Sequence, residues 1–157
     1  MPERKTQMLN PKPTVSLNVL IAILLTICSG CGYVSSGEWT DDNGNWDRAF
    51  GEPVPDGVTV DNSWYMRTAH WTAEYAWFFK LRLDANKRQL AESDADFEKL
   101  QSEDAVRAVQ QTYSDRPTWF PMDDLDRYDV YQSKSRPDFL MLLERDGVHS
   151  YWTACEL

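Results

Sequence analysis

The alternation of hydrophobic and polar positions predicts strands in the middle of the chain. Between residues 74 and 84, apolar side chains occupy every second position, at Tyr75, Trp77, Phe79, Leu81 and Leu83. This period of two is typical of a strand with one buried face. The aromatic-rich run 63–71 and residues 128–132 are also predicted to be extended, and residues 58–60 are predicted to form a short edge strand.

The C-terminal segment predicts a β-hairpin. Two apolar runs, 139–143 and 148–155, flank the tripeptide Arg145-Asp146-Gly147. An Asp-Gly pair between apolar runs is a strong hairpin signal, because these residues adopt the backbone angles that a tight turn requires.

Two short helices, 94–101 and 103–113, are predicted between the strands. Ser93 and Ser102 are each followed by acidic residues, as is typical of a helix start. The apolar side chains of the region fall on nearly opposite sides of any single straight helix, which favours a break near Ser102.

The order of these elements predicts an α+β fold, a small antiparallel sheet with two short helices packed on one face. Residues 31–62 are rich in Gly, Pro, Asp and Asn and are predicted to form a tether and a loop-rich arm. The α+β domain is therefore expected to span residues 63–157.

The N-terminal segment, residues 1–30, has the organisation of a secretory signal peptide. Residues 1–16 carry a net charge of +2, and residues 17–27 are almost entirely apolar. Small residues follow, as at a cleavage site. The apolar run is shorter than the roughly 20 residues of a membrane-spanning helix.

The end of this segment resembles the lipobox of bacterial lipoproteins. Ser29 and Gly30 match the small residues that precede the modified cysteine, here Cys31. The resemblance covers about the first 31 residues. It implies that Cys31 becomes the first mature residue and carries a thioether-linked diacylglycerol and acyl chains such as palmitate. It also implies a membrane partner and a bacterial envelope location, with the outer membrane favoured in a Gram-negative cell because Gly32, not Asp, follows.

Ordinary signal-peptidase cleavage and an uncleaved anchor are the alternatives to lipidation. The cysteines bear on this choice, because a lipidated Cys31 leaves Cys155 as the one free thiol of the mature chain. If Cys31 carries no lipid, a disulfide between Cys31 and Cys155 becomes possible in an oxidising compartment.

The net charge narrows the range of partners. The 157-residue chain has 16 basic and 25 acidic residues, and residues 31–157 alone carry a net charge of −11. Phosphate repels such a chain, so nucleic acid is not expected as a partner. With no cofactor motif in the sequence, the favoured hypothesis is a lipid-anchored envelope protein that acts as a small acidic interaction module for a basic protein.

An envelope hydrolase is the second hypothesis. His70 and Glu74 lie four residues apart and share a face in either a helix or a strand, and His149 is the other histidine. These groups would form an acid–base or metal site if the fold brought them together. No catalytic or metal-binding motif supports that arrangement, so a non-enzyme is favoured.

A carbohydrate-contacting protein is the third hypothesis. Trp39, Trp46 and Trp119 occupy loop-like segments, where they are candidates for an exposed surface that stacks on an envelope glycan. The oxygen-rich loop 41–47 invites a calcium interpretation, but its spacing does not fit an EF-hand, and no metal site is assigned.

Overall fold

The structure, a computed structural model, describes residues 36–69 and 74–156. Within them, seven strands form one antiparallel sheet, and helices connect several of the strands. The strands are β1 (Gly37–Thr40), β2 (Val58–Arg67), β3 (Tyr75–Leu83), β4 (Phe97–Lys99), β5 (Tyr128–Ser133), β6 (Leu140–Glu144) and β7 (His149–Glu156). The α-helices are α1 (Asn45–Phe50), α2 (Ala85–Ser93) and α3 (Ser102–Gln110), and a 3-10 helix spans Leu125–Arg127.

The strand order in the sheet is β1-β2-β3-β7-β6-β5-β4. β3 and β7 join the N-terminal strands to the C-terminal ones, and their register runs from Tyr75 opposite Glu156 to Arg82 opposite His149. The predicted hairpin is confirmed as β6 and β7, and the predicted strand at residues 128–132 is confirmed as β5. The α+β class and the antiparallel sheet are also confirmed.

Both faces of the sheet are buried, which differs from the prediction for β3. One face, called here the front face, packs against α3, and Ala76 and Phe78 lie in its core with no exposed surface. The other, the back face, packs against α1 and α2 and buries Trp77, Phe79 and other side chains of β3. The alternation in β3 therefore marks two apolar faces rather than one buried and one solvated face.

The two longer helices lie on opposite faces of the sheet, so the expectation that they share one face is wrong. Val109 of α3 is fully buried in the front-face core, whereas Ala91 of α2 packs against the back face. A front-face layer alone would leave the aromatic side chains of the back face in water, at a cost of about 25 cal/mol for each Å² of apolar surface.

The first predicted helix, 94–101, is also wrong. The helix starts earlier, at Ala85, because the Asp84 carboxylate accepts a hydrogen bond from the Lys87 amide at 2.7 Å and caps it directly after β3. Phe97 then belongs to the edge strand β4, where it pairs with Ser133 and packs against the back face. The second predicted helix corresponds to α3, which ends three residues earlier than expected, at Gln110.

The segment predicted to be a tether and arm contributes ordered elements to the sheet. Residues 37–62 hold β1, α1 and the start of β2, and α1 packs against the back face through Trp46 and Phe50. Residues 58–60 pair with β3 as part of the longer strand β2. The globular body therefore begins near Gly37 rather than at residue 63.

One glycine fixes the entry into β2. Gly57 has a φ of +83°, and a Cβ atom there would lie 2.2 Å from the Asp84 carboxylate. Its carbonyl accepts a hydrogen bond from the Asp84 amide at 2.9 Å. Only glycine satisfies both the left-handed backbone and this close approach.

Within the part of the chain that the structure describes, no helix is both long and apolar enough to span a membrane.

The double-sided core gives the first testable prediction. Phe78→Ala should lower the free energy of unfolding by about 3–5 kcal/mol, because it empties a site packed on all sides. Val148→Ala is the control, since Val148 is 60% exposed and its truncation should cost less than about 0.5 kcal/mol. Urea unfolding followed by circular dichroism measures both. Equal losses for the two variants would contradict a buried front face.

Candidate functional sites at the two ends of the sheet

The candidate acid–base residues are separated by the antiparallel pairing of β3 and β7. Glu74 directly precedes β3, at the end of the sheet where Tyr75 pairs with Glu156, whereas His149 pairs with Arg82 at the other end. The seven steps from Tyr75 to Arg82 span roughly 23 Å of strand. General acid–base groups must reach one substrate, so Glu74 and His149 cannot act together. His70 and Cys31 lie outside the described residues.

Glu74 has a local partner. Its carboxylate lies 3.4 Å from the Thr68 hydroxyl, and its carbonyl accepts a hydrogen bond from the Thr68 amide at 3.0 Å. These contacts join the end of β2 to the start of β3, which is a structural role.

His149 sits between two carboxylates at the far end of the sheet. Its Nε2 lies 3.5 Å from Asp61, and its Nδ1 lies 3.5 Å from Glu144. Asp61 occupies an irregularity of β2, where the register shifts between Val60 and Asn62. Such a bulge redirects a side chain, here across β3 toward β7.

Arginines balance both carboxylates. Arg82 pairs with Asp61 at 2.9 Å, and Arg127 pairs with Glu144 at 2.9 Å. The cluster is therefore a row of charged and polar side chains that links β2, β3, β7 and β6. Across residues 36–69 and 74–156, no group of three or more His, Cys, Asp or Glu side chains is arranged to hold a metal ion.

The three candidate tryptophans differ in their access to solvent. Trp46 is 4% exposed and packs against Phe50 with ring centroids 4.4 Å apart, so its ring is a core side chain. Trp119 is half-buried against the front-face core. Trp39 is half-buried on the edge strand β1, and the guanidinium of Arg48 lies 4.6 Å from its ring. Trp39 and Trp119, but not Trp46, therefore have rings that a ligand could reach.

Several polar groups of the oxygen-rich loop before α1 form hydrogen bonds within the protein. One Asp42 oxygen accepts hydrogen bonds from Arg48 and from the Gly44 amide, each at 2.7 Å, and these bonds lower the pKa of Asp42. Asp41 accepts from the Ser63 amide at 2.8 Å, and the fully buried Asn45 donates to the Trp39 carbonyl at 2.9 Å. The loop thus anchors α1 and the end of β1 to β2.

Three cavities of the described residues are smaller than a usual small-molecule site. The cavity beside this loop is about 120 Å³, and two others, near the 3-10 helix, are about 50 and 230 Å³. Small-molecule pockets usually enclose roughly 300–1,000 Å³.

Carboxylates gather where α3 begins, close to the 3-10 helix. α3 packs against this 3-10 helix, and all the acidic residues of the two segments are exposed. We call this surface the acidic corner, and its members are Glu103, Asp104, Asp123, Asp124 and Asp126. Among the described ion pairs, it has one cation partner, Arg107, at 3.5 Å from Asp104.

Most basic side chains of the body form ion pairs with carboxylates of the same chain. Eight of them pair with carboxylates among the described residues, namely Arg48, Arg82, Arg88, Lys99, Arg107, Arg127, Arg136 and Arg145. Because acidic residues are in excess, many carboxylates have no such partner. Which charged residues are paired and which are not could not be predicted from the sequence, because the pairing depends on the order of the strands in the sheet.

Cys155 has the properties of an unreactive thiol. It is half-buried against the front-face core, and burial raises the pKa of its thiol, with the negative charge of Asp138 acting in the same direction. A raised pKa leaves little thiolate near neutral pH, so a nucleophilic role is not supported.

Comparisons with protein families, with curated proteins and with solved structures returned no match to this chain.

The ion pairs beside the acidic corner give a prediction on pH. Burial acts to raise the pKa of Asp129, but hydrogen bonds and the charges of Lys99 and Arg145 outweigh it and hold that pKa below its usual value. The ionised form is therefore favoured in the folded state. Its stabilisation is present above the unfolded-state pKa of about 3.9 and is lost as the pH falls through the lower folded-state pKa.

Asp129→Asn should therefore flatten the loss of stability between about pH 5 and pH 2, measured by urea unfolding across that range. Asp146→Asn is the control, because Asp146 is exposed and has no ion pair among the described residues. Parallel pH curves for wild type and Asp129→Asn would show that Asp129 contributes no pH dependence.

Proposed function

We propose that this chain is a lipid-anchored protein of the bacterial envelope that acts as a small acidic binding module for a basic protein surface. The observation that carries the proposal is the acidic corner, an exposed group of carboxylates with one cation partner among the described ion pairs. A basic partner would supply the missing countercharges, and such complementarity favours fast and selective association.

The position of this corner in the sheet supports the same function. The body starts at Gly37 on the edge strand β1, at the end where Arg67 and Tyr75 lie in register with it. The acidic corner adjoins the start of β5, five strands away, at the opposite end of the sheet. Strand spacing and rise place the two corners roughly 30 Å apart. A lipid on Cys31 would hold the first corner near the bilayer and leave the acidic corner accessible.

The alternative functions have less support from the geometry. The hydrolase hypothesis rests on His70 and Glu74, of which His70 lies outside the described residues, and His149 cannot join Glu74 because it lies at the other end of β3. A glycan-binding role retains Trp39 and Trp119 as half-buried rings, but Trp46 is part of the core.

The anchor is tested by the intact mass of the protein extracted from its own membranes. We expect cleavage before Cys31 and an added mass of diacylglycerol and acyl chains, both of which Cys31→Ser should abolish. An unlipidated wild-type chain that is lighter by two hydrogens would instead show a Cys31–Cys155 disulfide and contradict the tether.

The acidic corner is tested by neutralising it. Partners are captured by crosslinking in cells, and binding of the captured partner is then measured with the variant Asp123→Asn, Asp124→Asn, Asp126→Asn. Three lost charge contacts should weaken binding roughly tenfold, and added salt should weaken wild-type binding more than binding of the variant. Asparagine tolerates the left-handed backbone of Asp124, whose φ is +63°.

The matched control neutralises three exposed acids elsewhere, in the variant Asp47→Asn, Glu52→Gln, Asp56→Asn. It changes the net charge by the same amount and should leave binding within about twofold of wild type. Equal weakening by both triple variants would show that net charge alone matters and would reject the acidic corner as the binding surface.

A further inference from the structure

A second surface lies at the start of β1, and we call it the tether-side corner, formed by Gly37, Trp39, Arg48 and Arg67. We propose that this corner lies against the phospholipid headgroups of the bilayer in which the protein is anchored. The inference rests on the proposed function, because it takes Cys31 as the point of lipid attachment.

The length of chain before the body sets how far the corner can lie from the membrane. Five residues, 32–36, separate Cys31 from Gly37. Six fully extended Cα–Cα steps reach at most roughly 20 Å. Because the body starts so close to a lipidated cysteine, the elements around Gly37 are the part of the body nearest to the headgroup layer.

The register of β1 and β2 places an arginine and a tryptophan at that point. Gly37 pairs with Arg67, and Trp39 pairs with Tyr65, so the side chains of Trp39, Tyr65 and Arg67 share the back face of the sheet. Gly37 makes room for the indole, because a Cβ atom there would lie 2.6 Å from a ring carbon of Trp39. The Trp39 ring therefore covers the first residue of the strand.

The charges of this corner suit a phosphate layer. Arg67 pairs with no carboxylate among the described residues, and its buried Nε has no hydrogen-bond partner there. The second cation, Arg48, lies over the Trp39 ring at 4.6 Å, although Asp42 partly compensates its charge. Burial raises the pKa of the Tyr65 hydroxyl, and the positive charges of Arg67 and Arg48 act in the opposite direction.

The acidic residue nearest in sequence points away from this group. Glu38 lies between Gly37 and Trp39 and so projects from the front face, where its carboxylate accepts a hydrogen bond from the Trp64 indole at 2.6 Å. The alternation of side chains along β1 thus puts Trp39 on the face that Arg67 shares and the Glu38 carboxylate on the other.

These residue types match the chemistry of a headgroup layer. The planar guanidinium of arginine binds phosphate through paired hydrogen bonds. Tryptophan prefers the interface between water and acyl chains, because it is apolar with one polar N–H. The body as a whole is acidic and is repelled by anionic lipid, which favours contact through the arginines of the tether-side corner.

The test measures how close Trp39 lies to the headgroups. Protein purified from its membranes is reconstituted into vesicles of equal parts phosphatidylglycerol and phosphatidylcholine, the latter carrying a nitroxide quencher on its headgroup. We expect Trp39→Phe to lower the quenched part of the tryptophan fluorescence roughly twofold or more. Trp119→Phe, the matched control on the front face, should leave it unchanged.

Arg67→Gln provides a second variant that keeps the indole in place. It should weaken quenching in the anionic vesicles, whereas Arg107→Gln, which removes an exposed arginine of α3, should not. Lower quenching in both Trp39→Phe and Arg67→Gln supports the proposal. Wild-type quenching in either variant overturns it.

The intact mass of the same preparation distinguishes a failure of the lipid anchor from a failure of the headgroup contact. If the mass shows no lipid on Cys31, the anchor is contradicted, and the unlipidated chain is titrated with the same vesicles. Quenching that Trp39→Phe removes would then retain the tether-side corner as a lipid-binding surface. No quenching of the wild-type chain would overturn it.

Discussion

The pairing of β3 with β7 is the interaction on which the rest of the structure depends. It joins strands that lie far apart in the sequence and makes one sheet of the N-terminal and C-terminal halves. Phe78 and Trp77 face opposite sides of this junction, and both are fully buried. Because the junction needs cover on both faces, the helices must separate, with α3 on one face and α1 and α2 on the other. The same antiparallel register sets which charged residues meet at each end of the sheet.

The sequence predicts those elements of the fold whose signals are local. The strand β3 and the Asp-Gly turn between β6 and β7 depend on neighbouring residues, and both are confirmed, although the alternation in β3 wrongly predicted one solvated face. The helix at residues 85–93 was missed because its side chains have little apolar periodicity, and its start depends on the Asp84 cap. The strand β4 was missed because its three residues are too few to show the alternation of apolar and polar side chains. They form a strand because they pair with β5.

The candidate sites are less predictable, since they depend on contacts between distant segments. Trp46 follows an Asp- and Asn-rich loop and looks exposed in the sequence, but α1 turns it into the back-face core. The sequence pattern alone is compatible with Glu74 and His149 lying close together or far apart. The antiparallel pairing of β3 with β7 places them at opposite ends of the sheet. Arg67 has no distinguishing neighbours in the sequence. Its proximity to Gly37 follows only from the register of β1 and β2.

The irregularity in β2 has a consequence for how the protein avoids aggregation. β1 pairs only with residues 64–67 of β2, so the outer edge of β2 before residue 63 has no strand partner among the described residues. An open, regular edge of this kind is a template for strands of other chains. The register shift between Val60 and Asn62 makes that edge irregular, which disfavours intermolecular β-sheet growth. The irregularity that turns Asp61 toward His149 thus also protects the open edge of the sheet.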